Sequence, residues 1–327
     1  MADFIFNFFE GNHDANFVAR LLCESGTFAP SRLAVKEFPS PVREFLENLY
    51  RQGGVEDIRV GEYHEKPSPV VALIGNNDST HVLSFVTGGC TKTSGAISTI
   101  NKIMTFAQQD EIGALTGHGH RFAILFFFDA DSRGIGAVQD FFDGAYGPTF
   151  AAYGSSNMPA HLEWTDKAGV PVGLYVFCDG TGSGTGTLED CIECALVEHN
   201  DVLKTAEGFL RSNHLDLPFA IGSEDDVVAA RAKTHKAKFT VLGQREKALA
   251  GSSLAVTLRK SNILNGAFDF GIDSFPGRIL RLLNNAFVGP SKNDSILTSV
   301  ATAAAGIQPA DGANGVPISP YHGTGAT

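Results

Sequence analysis

Asp129 and Asp131 stand one residue apart at the end of an uncharged run, Phe122-Ala-Ile-Leu-Phe-Phe-Phe128, with Gly134 shortly after. Two carboxylates so placed repel unless a cation, a shared proton or solvent relieves them. The hard-cation reading gives them Mg²⁺ or Mn²⁺, ions that take oxygen ligands. A second acidic pair lies in Glu10-Gly-Asn-His-Asp14, directly after the apolar Phe4-Ile-Phe-Asn-Phe-Phe9. A third, Glu189-Asp190, follows the glycine-rich Gly180-Thr-Gly-Ser-Gly-Thr-Gly186, and Asp179 ends another apolar run. Brought to one rim, such acids suit one or two divalent ions that contact a phosphate and activate a water. Taken singly they have plainer readings: Asp14, Glu189 and Asp190 also suit the first turn of a helix, where acids complement the dipole.

The elements that must position these residues are legible from periodicity. Residues 3–9 read as a first strand, and 121–128 as a strand buried on both faces, because that run is apolar without alternation. Val170–Cys178 is a third such strand. The carboxyl ends of such strands are where open α/β sheets place their ligands. Apolar spacing of three and four predicts a helix from Asn12 or His13 through Leu22, closed by Gly26 and Pro30. Further helices are expected over 41–50, 94–109 and 135–142. Val55–Tyr63, Val70–Gly75 and His81–Val86 read as β-rich runs between turn signals. The Gly180–Gly186 stretch reads as a mobile loop before a capping box at Thr187-Leu-Glu-Asp190. From there to about Asn285 the pattern is mostly helical, and the tail from Gly289 is Ala/Gly/Pro/Ser-rich and poorly ordered. Alternation of strands and helices makes the fold α/β with a mainly parallel sheet and a helical C-terminal part.

The totals bound the function. The chain has 327 residues, 43% hydrophobic, with 25 Phe and a formal net charge of −11. That is a well-filled core, and an acidic surface unlike that of a general polyanion binder, whose affinity rests on many Lys and Arg contacts. No stretch approaches the roughly 20 apolar residues of a membrane span. The start, Met1-Ala-Asp-Phe, lacks the cationic and apolar regions of a signal peptide. Five sparse cysteines read as reduced thiols of a cytoplasmic protein. Cys191-x-x-Cys194 lies in a helical pattern without a second pair, which favours core packing over metal or redox use. His118 and His120 read as surface turn residues. Arg231 and Lys233 read as a solvated helix face.

The residues also carry a family resemblance. Phe-Phe-Glu10-Gly-x-x-Asp14-Ala-x-Phe resembles the first Toprim motif, and Phe-Phe-Phe-Asp129-Ala-Asp131 its Asp-x-Asp motif. Gly88-Gly-Cys-Thr-Lys92, the Leu188-Glu189-Asp190 segment and His-Lys236-Ala237-Lys238 are similar to segments of small stand-alone Toprim-like proteins related to the overcoming-lysogenization-defect nucleases. The resemblance implies a Toprim-like (Rossmann-like) sheet with helices on both faces. It implies a catalytic core over 1–215 with insertions at 28–86 and 144–170, a helical extension over 216–288 packed on the core, and a flexible tail at 289–327. It further implies that Glu10, Asp14, Asp129, Asp131 and Glu189 hold Mg²⁺ or Mn²⁺, and that Glu10 doubles as general acid/base. Lys236 becomes a catalytic cation and phosphate ligand, joined in phosphate binding by Lys238 and Lys92. The expected activity is that of a nuclease on DNA or RNA, with a companion ATPase of a defence-type system or a homo-oligomer as partner.

Two other functions compete. In a haloacid-dehalogenase-like phosphatase Asp129 is the nucleophile and Asp131 the acid/base, but Arg133 stands where Thr or Val is needed. In a non-catalytic module for a nucleotide or partner, the metal site is vestigial. Gly134-Ile-Gly136 lacks the full dinucleotide-binding fingerprint, and Thr87-Gly-Gly-Cys-Thr-Lys-Thr93 lacks the P-loop spacing.

Overall fold

A computed structural model of the chain describes residues 1–50, 56–60, 68–89, 92–109, 119–154, 157–179, 184–196, 201–213 and 224–287. The expected tail at 289–327, the histidine at 118 and the first four residues of the glycine run lie outside them.

A seven-stranded mixed sheet forms the frame, in the order β2-β3-β4-β1-β5-β7-β6. Its strands are β1 (Asp3–Phe9), β2 (Phe28–Pro30), β3 (Val71–Gly75), β4 (Thr80–Val86), β5 (Arg121–Asp129), β6 (Trp164–Lys167) and β7 (Val170–Phe177). The four central strands β4, β1, β5 and β7 are parallel, while β2, β3 and β6 pair antiparallel at the flanks. Register is even across the centre: Phe9 stands opposite both Val86 and Phe127, and Asp129 opposite Phe177. The tips of β1, β5 and β7 therefore end along one edge, with Glu10, Asp129 and Cys178 upon it.

Nine α-helices occur among the described residues: α1 (Asn12–Glu24), α2 (Val42–Leu49), α3 (Thr93–Gln109), α4 (Gly134–Ala151), α5 (Leu188–Ala195), α6 (Asp201–Ser212), α7 (Glu224–Gln244), α8 (Leu254–Lys260) and α9 (Phe275–Asn284). Strand parity divides the core in two, because successive side chains leave a strand on opposite faces. Phe4, Phe6 and Phe8 face one core with Phe126, Phe128 and residues of α2, α3 and α4. Ile5 and Phe9 face the other, with Phe127, Phe177 and residues of α1, α5, α7, α8 and α9. The high Phe content is spent here, as rings stacked between neighbouring strands: Phe9 on Phe127 at 4.4 Å and Phe8 on Phe126 at 5.3 Å. The C-terminal helices complete the second core, where Phe17 of α1 meets Phe268 and Phe275. Arg20, 4% exposed, is buried with its guanidinium donating to the carbonyls of Leu258 and Ser261 and to Asn265 Oδ1.

Several expectations need correction. The 28–86 stretch is part of the sheet and not an addition to it, since it supplies β4, the immediate neighbour of β1. Within 55–63 the described residues 56–60 form a turn held by an isolated bridge between Ala34 and Arg59, with no strand. The helix expected over 135–142 runs on to Ala151 despite Gly144, Gly147 and Pro148. Val138, Phe142, Tyr146 and Phe150 recur every fourth residue and are all buried. Burial of that stripe outweighs the local breakers, as tertiary packing commonly does over intrinsic propensity. Residues 164–177 then form the β6–β7 hairpin, so the end of the 144–170 stretch belongs to the sheet.

Candidate functional site

The acids converge at the carboxyl edge of the parallel strands. Glu10 follows β1 directly, and its backbone carbonyl accepts from the Gly88 and Gly89 amides at 3.2 and 3.1 Å. Asp14 occupies the first turn of α1, where Oδ2 caps the Gly11 amide at 2.8 Å, so the plainer reading of this residue as a helix-start acid holds. Its other oxygen meets His13 Nε2 at 2.9 Å. Asp129 ends β5, and its Oδ1 accepts from the Leu188 amide at 2.8 Å, tying β5 to the start of α5. Glu189, fully buried in that first turn, meets His13 Nε2 at 3.2 Å and Lys236 Nζ of α7 at 3.4 Å. Asp190, next along, caps the Thr187 amide at 2.9 Å.

Asp131 is set apart. It adopts the left-handed backbone region (φ 50°), which costs a non-glycine residue of order 1 kcal/mol. A two-hydrogen-bond bridge to Gly186 fixes it there, at 2.7 and 2.8 Å. Its carboxylate is about half exposed and paired with Arg133 at 2.9 Å. The Ile135 amide also donates to the Gly184 carbonyl at 3.1 Å and the Asp179 amide to Thr185 at 2.9 Å. The end of the glycine run is thus pinned against the Asp-x-Asp segment rather than free. Gly186 needs its lack of a side chain, since φ is +125° and a Cβ would lie 2.7 Å from the Asp179 amide nitrogen.

The electrostatics report crowded negative charge. Burial, then the nearby charges of Asp131 and Asp14, push the Glu10 carboxyl up to about 7. Burial pushes Asp129 well above the carboxylate range, helped by the charges of Asp14, Glu189 and Glu10. Burial alone would neutralise His13, but Asp14 and Glu189 outweigh it and push the imidazolium up to about 10. Glu189 moves down: burial opposes its charge, yet His13 and Lys236 prevail. His13 is therefore a built-in counter-cation wedged between two acids. Sequence reasoning missed it, although it sits inside the Glu10-Gly-Asn-His-Asp14 motif.

A second network adjoins the first. Arg231 of α7 pairs with Asp190 at 2.7 Å and with Asp179 at 3.1 Å, and His235 lies 3.3 Å from Asp190. Arg231, though partly exposed, does more than face solvent; it docks α7 against α5, which in turn aims Lys236, one residue past His235, at Glu189. The signal was the Arg231/His235 spacing of four, which puts both on one helix face.

Not every expected residue joins. Lys238 is 5% exposed, and its ammonium bridges Glu193 and Glu207 at 2.9 and 3.4 Å, so it is not brought to the acids. Lys92 is exposed on the turn between β4 and α3. Cys191 is buried, with Sγ donating to the Cys178 carbonyl at 2.9 Å, in keeping with core packing, whereas Cys194 is exposed. His120 is half-buried, accepting the Ala2 amide at 3.2 Å with its ring against Phe4, and is not a surface turn residue.

The donors gathered here are carboxylate oxygens, the ligand type that hard divalent cations take. Glu10 Oε1 and Glu189 Oε2 are buried without a hydrogen-bond partner. Asp14 Oδ1 and Glu189 Oε1 share a single imidazolium edge, which can align with only one of them at a time. Among the described residues no three Asp, Glu, His or Cys side chains stand grouped as a finished ligand set. Binding would therefore take rotation of carboxylates already at the rim, and separation of His13 from at least one of its partners. No helix among the described residues is long and apolar enough to cross a membrane.

No family model matches the chain, and neither does any curated protein. Among solved structures, a hypothetical protein from Pyrococcus horikoshii OT3 aligns with 93% of this chain and 100% of its own, at 13% identity and a TM-score of 0.42, a likeness too slight to carry an argument.

Proposed function

We propose that the protein is a Mg²⁺- or Mn²⁺-dependent phosphodiester hydrolase of the Toprim type acting on nucleic acid. The observation that supports it most is the meeting of Glu10, Asp14, Asp129 and Glu189 at one sheet edge, crowded enough to raise Glu10 to about 7. Charge of this density, with buried unpartnered oxygens, favours a divalent ion as its counterpart. Glu10, Asp14, Asp129, Asp131 and Glu189 are the residues that would hold it. When bound, the ion supplies positive charge that polarises a phosphate oxygen and favours attack by water.

The chain's own residues have distinct tasks. Glu10, raised close to neutrality, can take a proton from the attacking water and return one to the leaving oxygen. Lys236, partly exposed beside Glu189, is placed to offset charge on the phosphate. His13 offsets charge on Asp14 and Glu189 before any ion arrives. The Leu188 amide fixes the orientation of Asp129.

One observation favours the second reading, a non-catalytic nucleotide or partner module: His13 and Lys236 already supply counter-charge that a working site would take from its metal. The phosphatase reading gains nothing here: Asp129 Oδ1 is taken up by the Leu188 amide, and Arg133 stands where that reading needs Thr or Val.

The test is incubation with single- and double-stranded DNA and RNA under Mg²⁺ and Mn²⁺, with Asp129→Asn and Asp131→Ala alongside. Metal-dependent cleavage, at least 100-fold slower in Asp129→Asn, is expected. Mn²⁺ binding by calorimetry without cleavage of any substrate would favour the non-catalytic module, and no binding would end both readings.

A further inference from the structure

Strand β1 leads into α1, whose buried residues join the second core, while β4 leads to α3, whose buried residues join the first. The chain thus leaves two neighbouring strands toward opposite faces, and open α/β sheets take their ligands at such a parting. On the α3 side of it lies a cavity of about 350 Å³ between α2 and α3, a size typical of small-ligand clefts. Phe8, Leu49 and Phe85, all buried, form its floor. Asn48, Ser94, Ser98 and Lys102, all exposed, stand along its walls. The same four line a wider opening of about 980 Å³ beside Phe45 and Phe106, so the two make one groove. Gaps between packed helices are normally closed by apolar side chains. Here the spacing of four puts Ser94, Ser98 and Lys102 on one face of α3, where they leave the gap open. Among the described residues no side-chain hydrogen bond or ion pair within the chain engages any of these four.

The cavity is in reach of the acids. Phe8 of its floor stands two residues before Glu10, about 6.6 Å at the rise of a strand. Thr87, also in its lining, donates its amide and its hydroxyl to the Phe9 carbonyl at 2.9 and 3.2 Å. The next amide, that of Gly88, donates to the Glu10 carbonyl at 3.2 Å. One wall is therefore bonded to the very backbone that carries Glu10. Because α3 joins the parallel strands β4 and β5, it runs away from this edge. Ser94 lies near the edge, and Lys102 about 12 Å farther along the helix.

We propose that this groove is a nucleoside pocket, which seats one unstacked base of the strand whose scissile phosphate lies at the acids; the substrate class rests on the phosphodiesterase reading above. The inner cavity mixes apolar rings with neutral hydrogen-bonding groups, and no carboxylate lines it among the described residues. Such a lining suits a neutral planar heterocycle. The Asn48 carboxamide offers a donor and an acceptor side by side, the complement of a base edge. Lys102 supplies a further donor for the acceptor atoms of a base. The hydroxyls of Ser94 and Ser98, nearer the edge, meet the sugar. A base held here leaves its phosphate beside Glu10, and gives an acidic protein a hold on nucleic acid that does not depend on a basic surface.

The test is equilibrium binding of two fluorescein-labelled 12-nucleotide strands, one of mixed sequence and one abasic throughout. Binding is read by anisotropy in Ca²⁺, and the strands are checked intact by gel afterwards. Both carry the same phosphates, so the difference between them reports the bases alone. Wild type is expected to bind the mixed strand at least 10-fold more tightly, the scale of one well-held base. Ser94→Leu/Ser98→Leu fills the groove and is expected to erase that preference, and Asn48→Ala to reduce it several-fold. Gln108→Leu, exposed on α3 but outside the groove, is expected to keep it.

Equal binding of the two strands by wild type overturns the pocket, as does binding of neither, or a preference that survives in both groove variants. Adenosine 5′-monophosphate displacing the mixed strand at micromolar levels overturns the strand assignment in favour of a free nucleotide. A chain that shows the base preference but cleaves nothing loses the phosphodiesterase reading and keeps this one. A chain that binds and cleaves both strands alike keeps that reading and loses this one.

Discussion

The raised Glu10 carboxyl makes a quantitative demand on stability. Ionising Glu10 in the folded protein takes a group whose ordinary value is 4.5 up to about 7. At ~1.36 kcal/mol per pH unit, that gap corresponds to about 3 kcal/mol. The sign follows from the direction: a carboxyl raised on folding contributes stability that is full below pH 4.5 and is lost as pH rises through about 7. Glu10→Gln removes the ionisation and should be more stable than wild type at pH 8 by about 2–3 kcal/mol, yet within error of it at pH 4.5. Urea denaturation in EDTA at both pH values measures this directly. Saturating Mn²⁺ should then stabilise wild type and leave Glu10→Gln far less affected, because the ion binds the ionised cluster. If the variant gains nothing between pH 4.5 and 8, Glu10 is not in the crowded acidic environment on which the functional reading depends.

Other expectations can be checked with the same preparations. His13→Gln leaves Asp14 and Glu189 without their shared cation and should lose about 3–5 kcal/mol at pH 7, read by urea denaturation. In wild type the His13 contribution is full below pH 6.5 and should disappear as pH rises through about 10, seen as a falling melting temperature that His13→Gln does not share. Asp131→Asn tolerates the left-handed backbone but removes a charge facing Glu10, so the Glu10 titration followed by carboxyl carbon NMR should move down from about 7. Gly186→Ala meets both a strained φ and the Asp179 amide, and should cost about 1–3 kcal/mol while weakening Mn²⁺ binding through its bridge to Asp131.

Much of the frame could be read from the chain. The uncharged runs at 4–9 and 122–128 announced strands, the second one buried on both faces, and the structure pairs them side by side with matched tips. The acidic motifs were legible because carboxylates at such tips have few structural reasons to be there. What escaped was non-local. The 55–63 run has β-forming residues, but its described part, 56–60, makes only an isolated bridge to Ala34. The helix through Gly144 and Pro148 depends on a buried stripe whose value appears only once the sheet lies beneath it. The roles of Lys238 and Arg231 could not be told apart by sequence, as both sit in one basic helix. Helical phase decides: Arg231 reaches Asp190, Lys236 reaches Glu189, and Lys238 turns back to Glu193. His13 was overlooked because an imidazole beside acids gives no pattern of its own until two of them close around it.

The burial of Phe17 and Arg20 under residues 258–275 has a consequence for synthesis. The helix that carries His13 and Asp14 is made before the groups that cover its inner face, which follow Arg20 by 238 and 241 residues. A nascent chain therefore has no finished acidic edge until residues 258–275 have been made, and a fragment stopped at residue 215 would expose a guanidinium and a phenyl ring meant for the interior. The same dependence makes the protein a natural candidate for splitting: two pieces divided near residue 215 should regain the closed acidic edge only by finding each other.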